Sequence, residues 1–297
     1  IILFFFLMFL ISCEKEDSTN NNIIESEWTT KQFTYEHDGL IRTYILHKPL
    51  NFVENSPLVF VLHGFGSSAM TIMTYSQMNT IADQNGFLVC YPQGSILETG
   101  QSHWNANLEM SSINDIDFLS QLAKSLQFNY KTNPKNTFTS GMSNGGFMSY
   151  TLGCEKSDIF KGVASVTGTM SGKDWKNCDP VNKIPAFQIS GTNDTTVPWD
   201  GTMSTAYGWG GAPHILDVMD VWADLNSTSQ TEKIDFPDID SSDKSTVSLT
   251  KRKAGINNNE VWLYTVSGGG HDWPGSWGNK DIIASNEIWK FFKHHLK

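Results

Sequence analysis

Apolar and polar residues alternate from Lys31 to Glu36 and again from Leu40 to Leu46, on either side of Asp38-Gly39. That spacing predicts an antiparallel hairpin with a tight turn. From Pro57 the pattern changes to unbroken apolar runs: Leu58 to Leu62 and Phe87 to Tyr91 predict parallel strands covered on both faces. Between them, Thr74 to Gln84 predicts a helix, with Gly86 placed to end it. Asn114 or Asp115 is positioned to cap a second helix, in which Ile116, Leu119, Leu122, Ala123 and Leu126 fall at helical spacing. Thr137 to Thr139 predicts a short strand and Phe147 to Gly153 a helix. Gly162 to Val166, Ile184 to Ile189 and Val261 to Val266 predict three further strands, and Ile282 to Leu296 a closing amphipathic helix. Strands alternating with helices imply an α/β fold, with a doubly wound, mainly parallel sheet preceded by the antiparallel hairpin. No internal repeat or second domain is evident.

One pentapeptide in this pattern carries chemistry. Gly141-Met142-Ser143-Asn144-Gly145 has the form G-x-S-x-G between a predicted strand and a predicted helix. A serine on such a turn projects its hydroxyl above the sheet, in the manner of the α/β-hydrolase nucleophile. An acyl-transfer serine also needs a base, an orienting acid and donors for the developing oxyanion. In α/β-hydrolases the acid and then the histidine follow the serine, each after a strand. Asp194 follows the Ile184–Ile189 run and His271 follows Val261–Val266. Asp200 is a rival for the acid, but it lies further from a strand end. His63 is the competitor for the base, but it precedes Ser143 and reads instead as a residue shaping its loop. Asn144 and Phe65 are the expected backbone donors of an oxyanion hole, with Gly66 as the fallback for Phe65.

Composition narrows the partners. A net charge of −10 over 297 residues argues against nucleic acid or an anionic membrane surface as the main partner. The apolar stretch Ile1 to Ile11 is too short to span a bilayer and suits the core of a signal peptide. Leu10-Ile11-Ser12-Cys13 resembles a bacterial lipobox, which makes Cys13 the expected lipidation site and a lipid anchor the expected membrane attachment. With no initial Met and no basic leader, the expectation is a truncated start. The organisation read from the chain is thus 1–13 signal and lipobox, 14–26 polar tether and 27–297 catalytic domain. The location is extracytoplasmic, as an outer-membrane or cell-surface lipoprotein, or alternatively as a secreted protein. Of the four cysteines, Cys90 lies in an apolar strand run, which leaves Cys154 and Cys178 available for a disulfide that the residues alone leave open. Among ten tryptophans, Trp104, Trp199, Trp209, Trp273 and Trp277 fall in expected loops. Trp104, Trp199 and Trp273 are taken as candidate substrate-binding residues, since an indole face stacks well on a sugar or phenolic ring.

These residues resemble the polyhydroxybutyrate depolymerase-type esterase family, with its related feruloyl and acetylxylan esterases of carbohydrate esterase family one. The likeness runs from about Leu46 to the C-terminus. It is carried by Leu62-His63-Gly64, Gly86-Phe87-Leu88-Val89 with Tyr91-Pro92, Asp115 with Phe118, the Ser143 pentapeptide with Gly146, Gly191 with Asp194 and Val197-Pro198, and Gly269-Gly270-His271-Asp272-Trp273-Pro274-Gly275. The resemblance implies Ser143, Asp194 and His271 as a triad and pairs Cys154 with Cys178. It implies no cofactor and no metal. Ser102-His103-Trp104 departs from it, because many relatives have a Cys before the Trp. The expected activity is a serine carboxylic-ester hydrolase acting on small-molecule or oligosaccharide esters of the feruloyl or acetylxylan type. A short-chain polyhydroxyalkanoate depolymerase is the alternative, and an acyltransferase or a non-catalytic carbohydrate-binding lipoprotein is more remote. Oligomeric state is not readable from the sequence.

Overall fold

The computed structural model describes residues 29–205 and 208–297, so Cys13, the apolar leader and the polar tether lie outside the described residues. Strands β1 (Thr30–His37) and β2 (Leu40–His47) form the expected hairpin, in full antiparallel register from Thr30–His47 to His37–Leu40. Next come β3 (Leu58–Leu62), helices α1 (Ala69–Ser76) and α2 (Met78–Asn85), and β4 (Leu88–Pro92). The single helix expected over Thr74–Gln84 is therefore two. Gln77 sits between them at φ 51°, where it ends α1 and starts α2 without a glycine or proline to announce the break. Gly86, at φ 74°, ends α2 as expected.

The two-residue strands β5 (Ser95–Ile96) and β6 (Ser102–His103) pair as a small separate sheet. Helix α3 (Asp115–Tyr130) is capped by Asn114, whose side chain accepts from the Asp117 N–H. Then follow β7 (Thr137–Met142), α4 (Asn144–Glu155), β8 (Val163–Val166), α5 (Gly172–Asn177), β9 (Ala186–Gly191) and α6 (Ile215–Leu225). The chain closes with β10 (Gln230–Asp235), β11 (Thr246–Lys253), β12 (Val261–Ser267) and α7 (Ala284–His294).

The main sheet runs β1-β2-β4-β3-β7-β8-β9-β12-β11-β10. Its centre, from β4 to β12, is parallel, and antiparallel strands flank it on both sides. The apolar run of β3 is continuous because both of its faces are covered. Val59 and Val61 pack with α1, α2 and α7, whereas Leu58, Phe60 and Leu62 pack with α3 and α4. A third cluster joins α6, through Val218, Met219 and Trp222, to Val163, Ala186, Val261 and Leu263. The result is a three-layer doubly wound architecture with strand ends aligned at one edge, the place where this fold carries ligands.

Candidate active site

Ser143 lies between β7 and α4, at φ 52° and ψ −120°, a conformation that costs an L-residue of the order of 1–3 kcal/mol and that surrounding structure must enforce. Part of the enforcement is close backbone approach. A Cβ on Gly145 would lie 2.3 Å from the Leu62 carbonyl oxygen, so only glycine lets the start of α4 pack on the end of β3. Asn144 opens α4, which points the positive end of the helix dipole and an uncommitted first-turn N–H toward the elbow.

Asp194 and His271 reach each other from the ends of β9 and β12, which are adjacent parallel strands. His271 Nδ1 lies 2.7 Å from Asp194 Oδ2. A carboxylate only accepts, so Nδ1 is the donor and Nε2 is the ring nitrogen left for other partners. The other oxygen, Asp194 Oδ1, accepts from the backbone N–H groups of Thr196 and Val197 at 2.8 and 2.9 Å. These bonds leave the carboxylate little freedom to turn. A Cβ on Gly191 would stand 2.3 Å from the Gly269 oxygen, and this close approach lets the two loops lie side by side. The rival Asp200 is exposed and bonds Thr202 within its own turn.

Ser143 and His271 line one pocket of about 600 Å³, together with Phe65, Val197, Pro198, Met203 and Trp209. Their side chains form no direct hydrogen bond to each other. Such contacts commonly tighten only when substrate is bound. Thr195, Thr196, Thr202 and Ser204 complete the lining, so hydroxyl groups alternate with apolar and aromatic side chains around it. Trp209 is held edge-on by Phe65 and Phe147 at 5.6 and 5.7 Å between ring centroids.

The loop after β3 covers the elbow: a Cβ on Gly64 would lie 3.5 Å from Ser143 Cβ. Within this loop the Gly66 N–H is committed to the Ser102 carbonyl at 2.8 Å, which removes it as the fallback candidate for an oxyanion donor. His63 is fully buried, and burial pulls its imidazole down to about 4. Its Nδ1–H donates to the Gly64 carbonyl at 2.7 Å while Nε2 accepts from the Gly94 N–H at 2.9 Å, the loop-shaping role expected of it.

The tryptophans are distributed differently from the expectation. Trp104 and Trp273 are 0% and 1% exposed and line none of this pocket, so neither presents an indole face to a ligand. Trp104 is instead packed on the His63 ring and donates from Nε1 to the His63 carbonyl at 3.0 Å. Trp199 is partly buried against the α6 cluster and meets the His214 ring. The indole in the pocket is Trp209, which sequence reading placed in a loop without assigning it to the site. Cys154 and Cys178 form a disulfide that ties the C-terminal end of α4 to the end of α5.

With this geometry in view, the comparisons with known proteins are direct. Residues 42–184 match the family model described as "Esterase PHB depolymerase". The chain resembles that family. The matched stretch contains Ser143 and ends before Asp194 and His271. A bifunctional acetylxylan esterase/xylanase of Neocallimastix patriciarum is 30% identical over 52% of this chain and 22% of its own length. Feruloyl esterase B of Piromyces equi is 25% identical over 77% of this chain and 42% of its own length. The chain thus spans less than half the length of these two relatives. Among solved structures, the acetyl xylan esterase from Aspergillus awamori aligns with a TM-score of 0.62 and 13% identity, covering 90% of this chain and 99% of that one. An S-formylglutathione hydrolase from Agrobacterium tumefaciens gives 0.58 and 12%. At such identities these two likenesses establish the fold, which is that of the α/β-hydrolases. Among the described residues no group of three or more His, Cys, Asp or Glu could hold a metal ion, and no helix is long and apolar enough to cross a membrane.

Proposed function

We propose that this chain is a carboxylic-ester hydrolase of the feruloyl or acetylxylan type, working through a Ser143 acyl-enzyme. The observation that carries the reading is the shared pocket: a serine at a strained elbow and a histidine already oriented by a buried aspartate face the same hollow. In this reading Ser143 Oγ attacks the ester carbonyl while His271 Nε2 takes its proton. Asp194 stabilises the imidazolium through the Nδ1–H bond it already makes. The backbone N–H groups of Asn144 and Phe65 receive the developing oxyanion, a contribution worth about two to three orders of magnitude in rate for one such donor. The proton on His271 then passes to the leaving alcohol oxygen. Water, deprotonated by the same nitrogen, releases the acid and restores the Ser143 hydroxyl.

Substrate class follows from the lining. Phe65 and Trp209 suit an aromatic or short acyl group, and relatives named as feruloyl and acetylxylan esterases point the same way. We place the enzyme outside the cytoplasm, with Cys13 as the lipid attachment site, 14–26 as tether and 27–297 as the catalytic unit. The Cys154–Cys178 disulfide supports an oxidising compartment. The test compares the wild-type protein with Ser143→Ala on p-nitrophenyl acetate, methyl ferulate, acetylated xylan and a polyhydroxybutyrate suspension. The alanine variant is expected to lose turnover on all of them, and the wild type to favour the ferulate or the xylan. Undiminished hydrolysis by Ser143→Ala would overturn the mechanism, and preference for the polyester would overturn the substrate class.

A further inference from the structure

Two backbone donors from different parts of the chain serve one oxygen only if their separation is held constant. Phe65 belongs to the loop after β3 and Asn144 to the start of α4. The residues between them are linked in a circuit of hydrogen bonds and backbone steps that reaches His63, two residues before Phe65. On one side, the buried Asn144 amide grips the Trp104 backbone in both directions: Oδ1 accepts from the Trp104 N–H at 2.7 Å, and Nδ2 donates to the Trp104 carbonyl at 3.0 Å. The Trp104 indole donates onward to the His63 carbonyl at 3.0 Å. On the other side, the His63 ring is held by Gly94 N–H and by Gln93 Nε2, at 2.9 and 3.1 Å.

Both sides end on one carboxylate. Asp115, in the first turn of α3, is fully buried. Its Oδ2 accepts from the Asn105 N–H, next to Trp104, at 2.8 Å. Its Oδ1 accepts from Arg42 Nη2 at 2.7 Å, and the same guanidinium nitrogen reaches the Gln93 carbonyl at 3.3 Å. The Arg42 guanidinium also lies 3.9 Å from the centre of the Phe118 ring. A buried ion pair of this kind adds little net stability over an apolar pair of similar shape, and its best-attested use is to specify one arrangement over others.

We infer that Asp115, paired with Arg42, is a positioning residue that sets the distance between the Asn144 and Phe65 backbone donors. The inference rests on the acyl-enzyme reading above. It also gives a use to the Asp115 and Phe118 motif, which the triad leaves unexplained. Asp115 touches no reacting atom. Its action runs through Asn105 and Trp104 to Asn144, and through Arg42, Gln93 and Gly94 to His63.

The experiment measures Asp115→Asn on methyl ferulate or p-nitrophenyl acetate below its melting temperature. It also measures the affinity of an aryl boronic acid, which forms a tetrahedral adduct on serine, and of the free carboxylic acid product. Asparagine keeps the shape but presents an N–H₂ where one of two donors now points. Expected is a fall in kcat of about 10- to 100-fold with KM altered less than about threefold, because part of an oxyanion interaction is lost. Boronate affinity is expected to fall in parallel with kcat, and product affinity to hold. Trp104→Phe, which removes the indole donor and part of the ring while keeping an aromatic side chain, is expected to show a smaller loss of the same kind, and it carries the test if Asp115→Asn does not fold. Arg42→Lys, which keeps the charge, is expected to retain more kcat than Arg42→Met. An unchanged kcat in folded Asp115→Asn, or equal losses of boronate and product affinity, would overturn the inference. Those outcomes leave the nucleophile reading intact as long as Ser143→Ala is inactive, whereas an active Ser143→Ala overturns that reading itself.

Discussion

Removing the Cys154–Cys178 bridge offers a stability test that can be worked from the fold. The two cysteines are 24 residues apart, and they fasten the end of α4, the helix that begins at the Ser143 elbow, to α5. In the chain-entropy description, closing a loop of about 24 residues removes about 12 cal/mol/K from the unfolded ensemble, or about 3.5 kcal/mol at 25 °C. For a chain of this size each kcal/mol moves the melting temperature by about 1.5–2 °C, so the expected drop is about 5–7 °C. The comparison is wild type against Cys154→Ala/Cys178→Ala, by calorimetry and by urea unfolding with the denaturant slope checked in both. The same drop should appear in the wild-type protein on adding a reductant and should be absent in the double variant. A shift under about 2 °C, or a reductant effect that survives in the double variant, would refute the idea that loop closure is what the bridge contributes. Because the helix is also held by packing along its length, kcat below the melting temperature is expected to change little.

Three further outcomes are expected. With Cys13→Ser in the background, folded oxidised protein should show no thiol reacting rapidly with Ellman's reagent, since Cys90 is fully buried and its thiol is pushed well above its ordinary range; denaturation without reductant should release one. Trp209→Ala should leave the fold intact and raise KM for methyl ferulate about 3- to 10-fold, whereas Trp104→Ala should cost about 3–5 kcal/mol of stability, a contrast read by kinetics and urea titration. The His63 imidazole is held near 4 in the folded chain, below its ordinary value of 6.5, because burial disfavours the cation. The unfolded chain therefore binds a proton that the folded chain refuses. The stability tied to this group is complete above pH 6.5 and lost as pH falls from 6.5 toward 4, by about 3 kcal/mol across that window. Urea midpoints measured from pH 7 to pH 4 should fall, and more steeply than in His63→Gln; equal slopes would refute the assignment.

Much of the architecture was legible because burial on both faces leaves an unmistakable mark. The runs at Leu58–Leu62 and Leu88–Pro92 are apolar throughout for that reason, and the order Ser143, Asp194, His271 was read against the expected ends of three later strands, β7, β9 and β12. The helix break at Gln77 was not legible, since a left-handed glutamine leaves no compositional sign. Strand β10 was missed because it is almost wholly exposed, so Gln-Thr-Glu-Lys-Ile-Asp carries little apolar alternation. Helix α6 did have an apolar stripe, at Ile215, Val218, Met219 and Trp222, and could have been found by helical spacing. Tryptophan burial was misjudged for a general reason: a loop position fixes the backbone but not the direction of the ring, and the Trp104 indole turns inward to His63. The Arg42 and Asp115 pairing was hidden because charged residues are ordinarily read as surface, and only the contact across 73 positions of sequence reveals otherwise.

The two flanks of the sheet bear on how the molecule behaves at high concentration. Among the described residues the ten-strand sheet ends in two rows of backbone groups that could template a foreign strand. Here the terminal strand on one side carries Lys31 and Glu36, and that on the other carries Glu232, Lys233 and Asp235, with Glu232 bonded to Lys253 of its neighbour. An incoming strand would have to strip water from these charges before gaining a single ladder bond. The hairpins that flank the parallel centre thus act as bumpers against aggregation, and neutralising Glu232 and Lys233 with valine would convert one of them into an adhesive edge.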